Sequence, residues 1–144
     1  MSKMNPEVSI GRFISVLYRQ SQAHISKQLA PYNIGSGQYP ILLALERNDG
    51  VIQDKLSAIG VDRANVARAV AKLQEKGYVE RSPDPEDKRV WRIYLTETGY
   101  NVLPIIRKVL GEWNSILSKG LDPQDQETLI RVLKTMAANV GFES

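Results

Sequence analysis

Apolar positions recur at helical spacing through most of this chain and alternate in only one short stretch. From Ser9 to about Leu29, the residues Ile10, Phe13, Ile14, Leu17, Tyr18, Ile25 and Leu29 return every three or four positions or multiples of that spacing, which predicts a helix ended by Pro31 and Gly35. Ser36 is expected to cap a helix over 37–46 that buries Tyr39, Ile41, Leu42 and Leu45. Asn48-Asp49-Gly50 reads as a turn, and a short helix over 52–59 follows it. Gly60 makes the next turn, and Asp62 caps a helix over 63–76. Gly77 stands just past its end, where a residue tolerating positive φ is expected. Segments 78–82 and 90–95 read as strands; Trp91, Ile93 and Leu95 face one way, Arg92 and Tyr94 the other. Thr96 caps a long helix to about residue 119, with Pro104 inside it as a kink. Asp122-Pro123 opens a last helix to about residue 140, and residues 1–8 read as an irregular start.

This order predicts a mainly α fold with a small β-wing. A winged helix-turn-helix lobe over 36–96 is flanked by helices at 9–35 and 97–142, all within a single domain of 144 residues. The flanking helices are unusually rich in apolar positions. Val102, Ile106, Val109, Trp113 and Ile116 form one stripe of the long helix; Leu103, Leu110 and Leu117 form a second. Leu129, Leu133, Met136 and Val140 line the last helix. Helices apolar on two sides are buried on two sides, so these are expected to form a homodimer interface, the alternative being a larger monomeric core.

The helix over 63–76 carries the most suggestive chemistry. Val66, Val70 and Leu73 make one stripe with Ala69 beside them, which leaves Arg63, Asn65, Arg68 and Lys72 off it. Ala64, Ala67 and Ala71 are small enough to let the helix lie close against a partner. Forked Arg and Asn side chains match base edges, each worth roughly 1–3 kcal/mol of discrimination. Arg63, Ala64, Asn65 and Arg68 occupy the first turns and are the expected readers; Lys72 and Lys76 lie further along, toward phosphate. Beside this helix, Arg81, Lys88, Arg89 and Arg92 crowd one small ribbon. Ordinary solvation explains most charged helix faces and most charged hairpin tips. It is the conjunction of a short preceding helix, a glycine turn, an Asp cap and a basic hairpin that favours double-stranded DNA as the partner.

Composition narrows the alternatives. The 19 basic and 16 acidic residues leave a charge of only +3, so the placement of charge matters more than its total. With no cysteine, thiolate catalysis and cysteine-ligated zinc are excluded, and a single histidine argues against a histidine-based metal site. Lacking also a phosphate-cradling glycine loop, the chain is not expected to be an enzyme or to carry a cofactor. No signal peptide and no apolar run of about 18 residues is present, and a cytoplasmic location without membrane contact is expected.

Several segments together carry a family resemblance. They are Gln53-Asp54-Lys55-Leu56, Val61-Asp62-Arg63, the run from Leu73 to Arg81, Asp84-Pro85-Glu86-Asp87-Lys88-Arg89, and Leu95-Thr96-Glu97-Thr98-Gly99. This pattern resembles the winged helix of MarR-type transcriptional regulators, its specific part being Asp-x-Arg in the wing followed by Leu-Thr. Two features depart from that pattern: Ile52 stands where a hydroxyl cap is common, and the segment from Leu56 to Val61 is one residue short. The resemblance implies a homodimeric repressor or activator on a pseudo-palindromic operator, often released by small aromatic or anionic ligands. It implies that Arg89 enters the minor groove and that Asp87 braces the wing. It also implies an effector pocket between the dimer helices and the DNA lobe, for which Tyr18, Arg19, His24, Tyr39 and Trp113 are the candidates. Arg19 is equally suited to a rim or interface charge, and His24 to a structural role. Two other readings keep the fold: a protein-docking winged helix and an architectural DNA binder without effector.

Overall fold

The computed structural model describes Asn5 and residues 8–142, so most of the expected irregular start lies outside the described residues. The described elements are helices α1 (Ile10–Leu29), α2 (Tyr39–Arg47), α3 (Arg63–Glu75), α4 (Glu97–Leu117) and α5 (Pro123–Asn139). Strands β1 (Val51–Ile52), β2 (Val79–Pro83) and β3 (Trp91–Leu95) form one antiparallel sheet in the order β1-β3-β2. The architecture is a helix-turn-helix with a β-wing, as the pattern predicted.

Most helix boundaries follow from local chemistry. Asp62, Thr96 and Asp122 each accept a backbone N–H three residues on, at 2.9, 3.1 and 2.8 Å, satisfying donors that the first helical turn leaves free. Gly77 takes a φ of +83° and stops α3. Gly99, in the first turn of α4, is required by space, because a Cβ there would lie 2.2 Å from the Tyr78 carbonyl oxygen. That close approach seats α4 on the start of the wing, where the Thr96 hydroxyl donates to the Gly77 carbonyl at 2.6 Å. α4 runs through Pro104 as one helix.

Three expectations are corrected. Ser36 does not cap α2; the helix begins at Tyr39 after Gln38, whose side chain folds back to accept the Gly35 N–H at 3.2 Å. The short helix over 52–59 is a 3-10 helix, Gln53–Ile59, and Ile52 belongs instead to β1. Finally, the two apolar stripes of α4 do not face two partners along their length. Val102, Leu103, Ile106 and Val109 all enter the chain's own core, and only the far end, with Ile116 and Leu117, stays open.

The core joins α1, α2, α3, α4 and the sheet through Leu29, Ile41, Leu42, Leu45, Val66, Val70, Leu73, Ile93, Leu103 and Ile106. α5 is different: none of its residues is buried in the single chain. Its Leu129, Ile130, Val132 and Leu133 are exposed, as are Ile10, Phe13, Ile14 and Leu17 on the first half of α1.

Candidate nucleic-acid interface

α3 buries Val66, Ala69, Val70 and Leu73, which rolls the opposite face outward. Arg63, Ala64, Asn65, Ala67, Arg68 and Lys72 are all exposed on it. The expected readers are thus brought together on a continuous open surface. They are also ordered: Asp62 Oδ2 accepts from Asn65 Nδ2 at 2.7 Å, and Asn65 Oδ1 accepts from the Arg68 guanidinium. Lys76, expected beside Lys72, points elsewhere. Its ammonium donates to the Asn33 carbonyl at 2.5 Å and to Gln38 Oε1 at 2.9 Å, and so fastens the end of α3 to the α1–α2 connection.

The wing is built around a carboxylate that sequence reasoning did not single out. Asp84 is only 8% exposed. Its Oδ1 accepts the backbone N–H groups of Glu86 and Asp87 at 2.8 and 3.1 Å, a local turn of the kind aspartate favours. Its Oδ2 accepts from Arg92 Nε at 2.7 Å, and Arg92 Nη1 donates to the Gly50 carbonyl at 2.8 Å. Loop, β3 and the entry to β1 are tied at one point, and Arg92 is thereby structural. The Glu86 N–H and the Arg92 guanidinium hold the Asp84 carboxyl below its ordinary value.

At the tip, Arg89 is almost fully solvent-exposed, with 90% of its side chain open. Asp87 meets its guanidinium with both oxygens, at 3.1 and 3.3 Å, and accepts its backbone N–H at 3.1 Å. Asp87 therefore braces Arg89 itself, while Asp84 braces the loop. These bonds from Arg89 keep the Asp87 carboxyl below its ordinary value. An exposed ion pair of this sort adds little stability, so its effect is on where the arginine points. Arg81 lies over Trp91, 4.3 Å from the ring centroid, its Nε buried without a hydrogen-bond partner. The pairing register carries this contact, since Arg81 opposes Ile93 and Trp91 opposes Pro83, making the two diagonal neighbours. Lys88 is exposed on the same tip.

The expected effector residues separate into two groups. A cavity of about 590 Å³ opens between α1 and the start of α3, lined by Tyr18, Gln22, Tyr39, Asp62, Asn65 and Arg68 among others. Tyr18 and Tyr39 meet there; burial, then the neighbouring Tyr18, raises the Tyr39 hydroxyl above its ordinary pKa. The other three do not line it. His24 stacks on Trp113 with centroids 4.7 Å apart, and Trp113 Nε1 donates to Ser21 at 2.7 Å, which binds α1 to α4 within the chain. Arg19 donates to Ser15 at 2.6 Å on the open side of α1. Helical geometry is the reason, because adjacent residues point about 100° apart and Arg19 cannot share the direction of Tyr18.

Comparison with known proteins agrees with this geometry. A MarR family model matches residues 32–90. A MarR transcriptional regulator of Methanosarcina mazei Go1 is 41% identical with a TM-score of 0.84, the match covering 90% of this chain and 94% of that one. A MarR-family regulator of Listeria monocytogenes, solved in complex with a 26mer DNA, is 26% identical with a TM-score of 0.86 over 92% of this chain and 89% of its own. The HTH-type transcriptional regulator YybA of Bacillus subtilis is 28% identical over 90% of this chain and 87% of its length. Such relatives are regulators, not enzymes. With an open basic helix, an arginine-tipped wing and near full-length likeness of sequence and structure, the chain belongs to the MarR family of winged-helix, DNA-binding transcriptional regulators.

Proposed function

We propose that two copies of this chain bind a pseudo-palindromic operator as a homodimer and repress from it until a small aromatic acid releases them. The observation that carries this reading is the exposure of both the basic α3 face and the Arg89 tip, the latter on a wing loop tied down by Asp84 and Arg92. Arg63 and Arg68 face base edges in the major groove, Arg89 enters the neighbouring minor groove, and Lys72, Lys88 and Arg81 meet phosphates. Lys76, held by Asn33 and Gln38, supports α3 from its far end.

The dimer reading is supported by α5, an amphipathic helix with nothing buried, and by the open apolar rows of α1. Exposed apolar area of that extent marks an association surface. The helices at 9–35 and 97–142 then form the dimer lobe, and 36–96 the DNA lobe. Release is supported by the cavity, whose lining includes tyrosines on one side and Asn65 and Arg68 on the other. An aromatic carboxylate there would draw on the same cations that meet DNA.

The test is to sequence genomic DNA retained by the purified protein, then titrate the enriched duplex with and without salicylate-like acids. A discrete set of sites, released by at least one acid, supports the reading. Retention without sequence preference contradicts it.

A further inference from the structure

We infer that Asp62 is a specificity-setting residue of the DNA interface, acting through Asn65 on Arg68, so that Asn65 positions a reader and does not itself read a base. This rests on the DNA-binding reading above.

The two oxygens of Asp62 do different work. Oδ1 accepts the Asn65 backbone N–H at 2.9 Å, which is the ordinary capping bond and is open to Ser, Thr or Asn at the same place. Oδ2 has no part in the cap and accepts from the Asn65 side-chain amide at 2.7 Å. The carboxylate accepts only, so it fixes which end of the amide faces it. Nδ2 is turned toward Asp62, and Oδ1 is turned along the helix to the residue three positions on. There it accepts from the Arg68 guanidinium. Were the amide reversed, an NH2 group would face the guanidinium and two donors would oppose each other.

The relay occupies both ends of the Asn65 amide that bidentate pairing with adenine would need. It takes one of the five guanidinium N–H groups of Arg68 and leaves the others for a guanine edge. Arg68 is thus ordered before it meets DNA, which removes part of the entropy cost of fixing a long side chain on binding. Asp62, Asn65 and Arg68 are all exposed on the open face of α3, where no core packing would orient them. The acid has a second consequence. A negative charge here suits the positive end of the helix but repels phosphate, so it lowers sequence-independent binding. Both effects increase the ratio of specific to non-specific affinity.

The experiment separates the cap from the relay. Asp62→Ser and Asp62→Asn keep an acceptor for the Asn65 N–H and lose the one for its side-chain amide. Their thermal unfolding should fall by no more than the few degrees that losing a charge at a helix N-terminus costs. In selections from random duplexes, both should lose about fivefold or more of the discrimination at one guanine position, the position that Arg68→Ala and Asn65→Ala also erase. Binding to scrambled duplex at low salt should tighten. In the free protein, the Asn65 side-chain amide signal should shift on Asp62→Ser and on Arg68→Ala. Unchanged discrimination in both Asp62 variants overturns the inference. So does an adenine position lost in Asn65→Ala alone, or an amide signal indifferent to both partners. If the unaltered protein enriches no duplex, the DNA-binding reading fails instead, and the amide signal still decides whether the relay exists.

Discussion

Asp84 and Arg92 lie eight residues apart in the chain and 2.7 Å apart at their side chains, and through them the wing loop is fixed to the central strand of the sheet. The guanidinium continues to the Gly50 carbonyl, so one carboxylate reaches the edge strand as well. A wing held at its base can carry an exposed tip in a defined direction.

Removing that carboxylate should loosen the tip without unfolding the chain. Asp84→Ala is expected to weaken operator binding by about tenfold, with the helical circular dichroism unchanged. Amide exchange across residues 84–90 should accelerate. Binding equal to that of the unaltered protein would show that the wing does not need this tie.

Asp84 and its neighbour Asp87 together predict a pH dependence. Asp84 and Asp87 both have carboxyls below the ordinary value of 3.8, so in the folded protein they remain ionised to lower pH than in the unfolded chain. Their stabilisation is fully present above that ordinary value and is lost as pH falls through the depressed folded values. The melting temperature of the unaltered protein should therefore drop more steeply below pH 3.8 than that of a double Asp84→Asn, Asp87→Asn variant. Parallel curves would refute the assignment.

Arg89→Ala is expected to weaken operator binding more than tenfold at fixed salt. Its side chain is 90% exposed, so the melting temperature should not move. Fluorescence anisotropy measures the first and a thermal melt the second. A loss of stability would mean that the arginine serves the fold.

Trp91 supplies a platform for Arg81 at a partly exposed position, and contacts of that kind contribute about 0.5–1 kcal/mol. Trp91→Ala should weaken binding by about two- to fivefold. In a Trp113→Phe background, Trp91 is the sole tryptophan, and its emission should change on adding operator. An unchanged spectrum would place the wing away from DNA.

Leu133→Glu, on the exposed apolar face of α5, should convert the protein to a monomer at micromolar concentration, measured by sedimentation. The single chain buries nothing there, so its helical signal should persist. A dimer that survives this charge would locate the interface elsewhere.

Elements set by local bonds were legible in the sequence. Asp62, Thr96 and Asp122 cap helices because their side chains reach three residues ahead, and Gly77 stops α3 through its own φ. The exposed face of α3 followed from the spacing of Val66, Val70 and Leu73. What was hidden depends on distant partners. β1 has two residues and exists because Val51 and Ile52 pair with Ile93 and Arg92. Gln38 begins α2 through bonds to Gly35 and to Lys76, the latter 38 residues away, which is also why Lys76 leaves the phosphate-facing row. Asp84 looked like one more tip charge, since nothing local shows that Arg92 returns to it. His24 and Trp113 looked like pocket walls because both are aromatic; only the approach of α1 to α4 reveals that they stack on each other.

The most direct measurement is a selection of random duplexes by the purified protein, read by sequencing. Two outward α3 faces related by a dimer axis should enrich an inverted repeat whose half-sites are centred about 10–10.5 base pairs apart. Enrichment should collapse in Arg68→Ala and weaken in Arg89→Ala. An unselected pool, or a single half-site unaffected by either substitution, would contradict the assignment of this face to DNA.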